Sequence, residues 1–220
     1  MDNPQPEKPD YEMASIVKEL IDVVNQTHVW QRQTRTRLGR SGMPYTAVIS
    51  QANNPADDKY QTILFPFALE FECMDSAITV SFTWSMQLQI FNKIINIHYW
   101  MNNNTADLSS LHDIFAEQDL QTMFAGESHY IRPDKIPISI IKAEADRLSR
   151  LLCQFIGYCH RTEMGTLGPQ CCRYPKWVLR QFFRQNVGYE RELEWVLHAK
   201  YITGPGFYDE LDLMEFGDNL

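Results

Sequence analysis

The chain has 220 residues, of which 44% are hydrophobic and 12% aromatic, a share that supports a buried core and excludes a disordered protein. Its formal net charge of -8 argues against a chain whose main work is holding nucleic acid, because phosphate binding needs a cationic face. Cys73, Cys153, Cys159, Cys171 and Cys172 form an odd set without an even disulfide framework, and the polar start Met1 to Asp10 is no secretory signal, so a reducing intracellular compartment is expected.

Residues 1 to 12 are proline-rich and polar and read as a loose tail. Ser15 suits a helix cap, and Ile16, Leu20 and Val24 follow as an inward stripe with Lys18 and Glu19 outside, predicting a short helix that fades between Gln26 and Trp30. Residues 31 to 59 carry Gly39, Gly42, Pro44, Asn53, Asn54 and Pro55 with little periodicity, so a long connector is expected there. From Phe71 to Trp100 the positions Met74, Ala77, Ile78, Ser81, Ser85, Leu88, Phe91, Ile95 and His98 follow a helical stripe. Phe82, Trp84, Ile90 and Ile94 make other faces apolar too, which marks a helix set centrally among others. Gln87, Gln89, Asn92, Lys93, Asn96 and His98 are costly in hydrocarbon, so this run is not a membrane span. Asn102 to Asn104 end it.

A weaker helical segment is predicted from Leu108, Leu111, Ile114, Phe115, Leu120, Met123 and Phe124, followed by a connector through Gly126, Arg132-Pro133 and Ile136-Pro137. From Ile140 the residues Ile141, Ala145, Leu148, Leu151, Leu152, Phe155, Ile156 and Cys159 share one helix face, with Arg147, Arg150 and Gln154 off it. Gly165, Gly168 and Pro169 predict a turn, and a second helix is expected near Tyr174-Pro175 with Val178, Leu179, Phe182 and Phe183 inward. A last helix over Glu190 to Ile202 buries Leu193, Val196 and Leu197 and stops at Gly204-Pro205-Gly206. The expected fold is all-α: a flexible segment over residues 1–59 with one short helix, an irregular multi-helix domain over 60–206 built on a long hydrophobic helix, and an acidic-hydrophobic tail over 207–220, with disorder at the termini.

Ordered landmarks stand out in the second half. They are Ala143-Glu144-Ala145-Asp146-Arg147-Leu148, Cys153 with Tyr158-Cys159, Glu163-Met164-Gly165-Thr166-Leu167-Gly168-Pro169, Tyr174-Pro175 and Glu192-Leu193-Glu194-Trp195-Val196, preceded by Leu69-Glu70-Phe71, Ala77 and Trp84. In this order they resemble the C-terminal helical regulatory region of fungal zinc-binuclear-cluster transcription factors and their cluster-less relatives, over roughly residues 65 to 203. The resemblance implies a nuclear, non-enzymatic effector domain that works through protein partners of the transcription machinery or of a DNA-binding regulator, or through a small-molecule signal, and reaches DNA only indirectly. The family's six-cysteine reading head has no counterpart here, since no short-spaced cysteine pair precedes residue 153. That leaves a fragment, a truncated product or a cluster-less regulator, with a helical accessory or scaffold protein without a role on DNA as the alternative.

Three groups of residues invite a chemical reading. Arg32, Arg35, Arg37 and Arg40 lie in an acid-free stretch from Val23 to Ala56 and offer a phosphate contact or an import address, against a solvated basic loop. In the tail, five acids without a base interleave with Phe207, Leu211, Leu213, Met214 and Phe216, the mixture of an acidic partner-binding segment; a frayed acidic end is the bland alternative. Met74, Trp84, Phe91, Trp100, Phe155 and Trp177 read first as core packing and second as a pocket lining. Cys153, Cys159 and the Cys171-Cys172 pair with His160 are expected to be buried hydrophobes, with His160 off the stripe, rather than metal ligands. No phosphate-cradling, dinucleotide, nucleophile-elbow or zinc-protease motif occurs, so neither a catalytic residue nor a cofactor is expected.

Overall fold

The computed structural model describes residues 9–37, 44–50, 54–103, 115–116 and 136–199. Six α-helices lie among the described residues: α1 (Pro9–Arg37), α2 (Pro55–Tyr60), α3 (Met74–Asn103), α4 (Ile138–Cys159), α5 (Leu167–Gln185) and α6 (Glu190–Leu197). Two short ribbons accompany them, β1 (Tyr45–Ile49) with β2 (Phe67–Phe71), and β3 (Phe115–Ala116) parallel to β4 (Ile136–Pro137). The fold is all-α with a long central hydrophobic helix. The expected terminal disorder and the tail over 207–220 fall outside the described residues. By packing, the chain divides into two compact units, residues 1–46 with 71–152 and residues 47–70 with 153–220.

In the first unit α3 spans 30 residues, about 45 Å at the usual rise. Ala77, Ser81, Ser85, Leu88, Phe91 and Ile95 of the expected stripe are buried, and Trp84 and Ile94 are buried on further faces, while Phe82 is exposed. Its interior hydroxyls are satisfied locally: Ser85 Oγ donates to the Ser81 carbonyl at 2.8 Å and Ser81 Oγ to that of Ile78 at 3.0 Å. Helix α1 packs on α3 and is far longer than the short helix expected. It carries two adjacent apolar stripes, and the one buried is Ala14, Val17, Ile21 and Val24, whereas Ile16 is 45% exposed and Leu20 half-buried. The small Ala14 and Val17 admit a close helix neighbour, which decides between the stripes. The helix continues through Gln31–Arg37 because these glutamines, threonines and arginines contain no glycine or proline, and cations in the last turns suit the negative end of the helix dipole.

The expected connector over 31–59 is likewise structured at its end. Asn54-Pro55 is a helix start: the Asn54 side chain accepts from the Ala56 N–H, Pro55 fills the first turn, Asp57 and Asp58 follow, and Gln61 closes the helix in the left-handed region. Phe115, expected in a helical segment, is in a strand, paired with Ile136 of what was expected to be a connector. The rest of that segment lies outside the described residues. Helix α5 begins at Leu167, not near Tyr174, because Gly168 and Pro169 sit in a first turn whose N–H groups have no intrahelical partner anyway. The break falls at Gly165, φ 51°. Pro175 is therefore inside the helix. Helix α6 stops at Leu197, short of Ile202; Trp195 and Val196 are its buried residues, and Leu197, expected inward, is 45% exposed. No helix among the described residues is long and apolar enough to cross a membrane.

Candidate functional site

The densest chemistry among the described residues lies in the second unit, where α4 ends and α5 begins. A Cβ on Gly168 would collide with the Cys159 carbonyl oxygen, reach within 2.9 Å of the Cys159 carbonyl carbon and stand 2.7 Å from the Met164 Cβ, so only glycine lets the first turn of α5 press onto the last turn of α4. That approach brings Cys172, one turn further along α5, to the end of α4. Its Sγ lies 3.6 Å from His160 Nε2 and 3.2 Å from the Pro169 carbonyl oxygen, to which the thiol form donates. The Cys159 and Cys172 sulfurs hydrogen-bond to each other. Cys159, His160, Cys172 and Lys176 are all buried, with both sulfurs fully enclosed.

The electrostatics split the pair. Burial pushes the Cys159 thiol well up, and the neighbouring Cys172 adds to the rise. Cys172 is drawn down to about 5, first by the hydrogen bond from Cys159, then by His160 and Lys176, against its own desolvation. Burial also raises Cys171, which is half-buried beside it. The joint thus moves the two thiols in opposite directions, Cys159 up and Cys172 down, and both sulfurs are enclosed. His160, expected to point away from the apolar stripe, is 4% exposed and turned onto Cys172, because the chain leaves the helical path at Cys159 and the stripe no longer governs direction. Among the described residues no three His, Cys, Asp or Glu side chains are placed to hold a metal ion.

A polar joint in the same unit ties α2 to α6. Asn54, 2% exposed, caps α2 and donates through Nδ2 to the Trp195 carbonyl at 2.8 Å. The Glu194 carboxylate accepts from Lys59 Nζ at 2.7 and 2.9 Å and from Tyr60 OH at 2.6 Å, and these two partners, Lys59 first, hold it below the ordinary carboxylate range. Tyr60 is raised by the same contact. Arg191 lies 4.6 Å from the Tyr60 ring centroid and donates to Thr62 Oγ1, while Phe65 meets the Trp195 ring edge-on at 4.8 Å. None of this was read from the sequence; the Asn54-Pro55 cap signature was its one local signal.

The residues singled out from the sequence are placed elsewhere. Arg32 is exposed on α1, Arg35 and Arg37 belong to that helix's C-terminal end, and Arg40 lies outside the described residues. Phe207, Leu211, Leu213, Met214 and Phe216 also lie outside them. Of the aromatic set, Trp84, Phe91 and Phe155 are core residues, Met74 is half-buried, and Trp100 and Trp177 are 44% and 37% exposed, which divides the set between packing and surface. Comparison of the chain with protein-family models, with curated proteins and with solved structures finds no match in any of the three.

Proposed function

We propose that the chain is the helical regulatory domain of a fungal transcription factor-like protein, a nuclear, non-enzymatic effector that acts through protein or ligand contacts and not through a zinc-cluster head of its own. Its partners are components of the transcription machinery or a DNA-binding regulator, and it reaches DNA only through them. One observation supports this most: several of the residues that carry the resemblance are buried at the joints of one helix–turn–helix–helix unit. Cys153, Tyr158 and Cys159 are buried on α4, Gly168 seats α5 on the Cys159 carbonyl, Pro175 is buried within α5, and Trp195 is buried on α6. Positions that set helix contacts are the ones a shared fold retains.

The test is genome-wide occupancy of the tagged full chain in its native cells, with imaging of the same strain. Nuclear signal with discrete chromatin peaks, lost when a DNA-binding partner is removed, is expected. Diffuse cytoplasmic signal without peaks overturns the proposal and favours the helical scaffold reading.

A further inference from the structure

The α4–α5 junction buries more polar chemistry than a packing role needs. Small apolar side chains at 159 and 172 fill such a joint without cost, whereas burying a lysine and a histidine beside them carries a desolvation penalty that only charge and hydrogen bonding offset. Here both sulfurs are fully enclosed and hydrogen-bonded to each other, with His160 Nε2 at 3.6 Å from Cys172 and Lys176 one turn along α5. We propose that Cys159 and Cys172 are an oxidisable dithiol, converted by a peroxide into a disulfide that locks the end of α4 to the start of α5. This holds whether the chain sits on chromatin or elsewhere.

The chemistry balances with hydrogen peroxide as oxidant. The Cys172 thiolate attacks one peroxide oxygen, the O–O bond breaks, and the departing hydroxide takes a proton and leaves as water, so that Cys172 becomes a sulfenic acid. The Cys159 sulfur then attacks that of Cys172, the S–O bond breaks, and the departing hydroxide takes the Cys159 proton and leaves as water. Two thiols and one peroxide thus yield one disulfide and two waters. The two roles follow from the site: Cys172, whose sulfur lies 3.6 Å from His160 Nε2, is the attacking one, and Cys159 resolves it. Because both sulfurs are enclosed, the oxidant reaches them only through local opening of the packing around them, so the rate levels off at high peroxide where opening becomes limiting.

The test uses the full reduced chain, treated with hydrogen peroxide at neutral pH, alkylated and digested with trypsin without reductant. Cleavage after Arg150, Arg161 and Arg173 separates Cys159 from Cys172. The expected product links peptide 151–161 to peptide 162–173, with fragmentation placing the bond between Cys159 and Cys172 and with dithiothreitol removing it. Cys171→Ser and Cys153→Ser keep the link; Cys159→Ser and Cys172→Ser abolish it. The wild-type fragmentation pattern decides the case even if a serine variant fails to fold. A bond mapped to Cys171 or Cys153, or a link that forms only in urea, or no link in the native chain overturns the proposal.

Discussion

Replacing Gly168 by alanine tests the α4–α5 contact directly. The added Cβ meets the Met164 Cβ at 2.7 Å and the Cys159 carbonyl carbon at 2.9 Å, so reaching ordinary contact at 3.4 Å requires a separation of about 0.5–0.7 Å, and the Cys159 carbonyl oxygen demands more. Two of the three obstacles are backbone atoms, which cannot rotate away as a side-chain tip does. Overpacking of this kind costs about 1–3 kcal/mol, with this backbone case at the upper end, while alanine's better helix propensity returns at most about 1 kcal/mol. The net loss is about 2 kcal/mol. With a urea slope of about 2 kcal/mol per molar, the midpoint followed by far-ultraviolet circular dichroism falls by about 1 M. Gly157→Ala is the control on α4: its nearest neighbours are the Ala68 Cβ at 3.3 Å and Ser50 Oγ at 3.8 Å, so its midpoint stays within about half a molar of the parent. A Gly168→Ala midpoint equal to that of the parent would refute the account of how the thiol pair is brought together.

Asn54→Ala removes the α2 cap and the donor to the Trp195 carbonyl, a loss of about 2–4 kcal/mol by urea denaturation, whereas Asn54→Asp keeps the cap and loses only the donor; an Asn54→Asp variant as stable as the parent would show that the bond to Trp195 contributes nothing. Glu194 is held below its ordinary value, so the stability it contributes is present above that value and disappears as pH falls through its folded pKa. Glu194→Gln flattens this acid-side slope and salt weakens it, and an unchanged slope in the variant would exclude the Lys59 and Tyr60 contacts as its source. Cys172 gives a second, separate slope. With its pKa lowered from 9.0 to about 5, stability increases with pH between those values and the contribution is gone below about 5; Cys172→Ala removes the slope, and thiolate absorbance titrating near pH 9 in the parent would count against it.

Helix stripes with a single apolar face were legible in the sequence: Ile141, Ala145, Leu148, Leu152, Phe155 and Ile156 are buried on α4 as their spacing requires. Helix α1 was harder because two stripes one residue apart are both apolar, and only the partner helix selects between them. Glycine and proline misled at α5, since Gly168-Pro169 reads as a break although a first turn tolerates both residues. The thiol cluster was hidden for a different reason. Cys159 and Cys172 are 13 positions apart on two helices, and their meeting depends on the missing side chain of Gly168, which no periodicity encodes. The Glu194 contacts, formed with residues 134 and 135 positions away, are beyond any local pattern.

The Asn54–Trp195 bond spans 141 positions, and the residues of its unit come from two stretches, 47–70 and 153–220, separated by the whole of residues 71–152. During synthesis at about 5–20 residues per second, the first stretch waits roughly 7–28 s for its partner to be made. The Asn54 cap of α2 is local and forms early, but Phe65 lacks the Trp195 ring that it packs against until α6 has left the ribosome. Premature termination before Trp195 thus leaves Asn54 and Phe65 without the partners that they meet on α6.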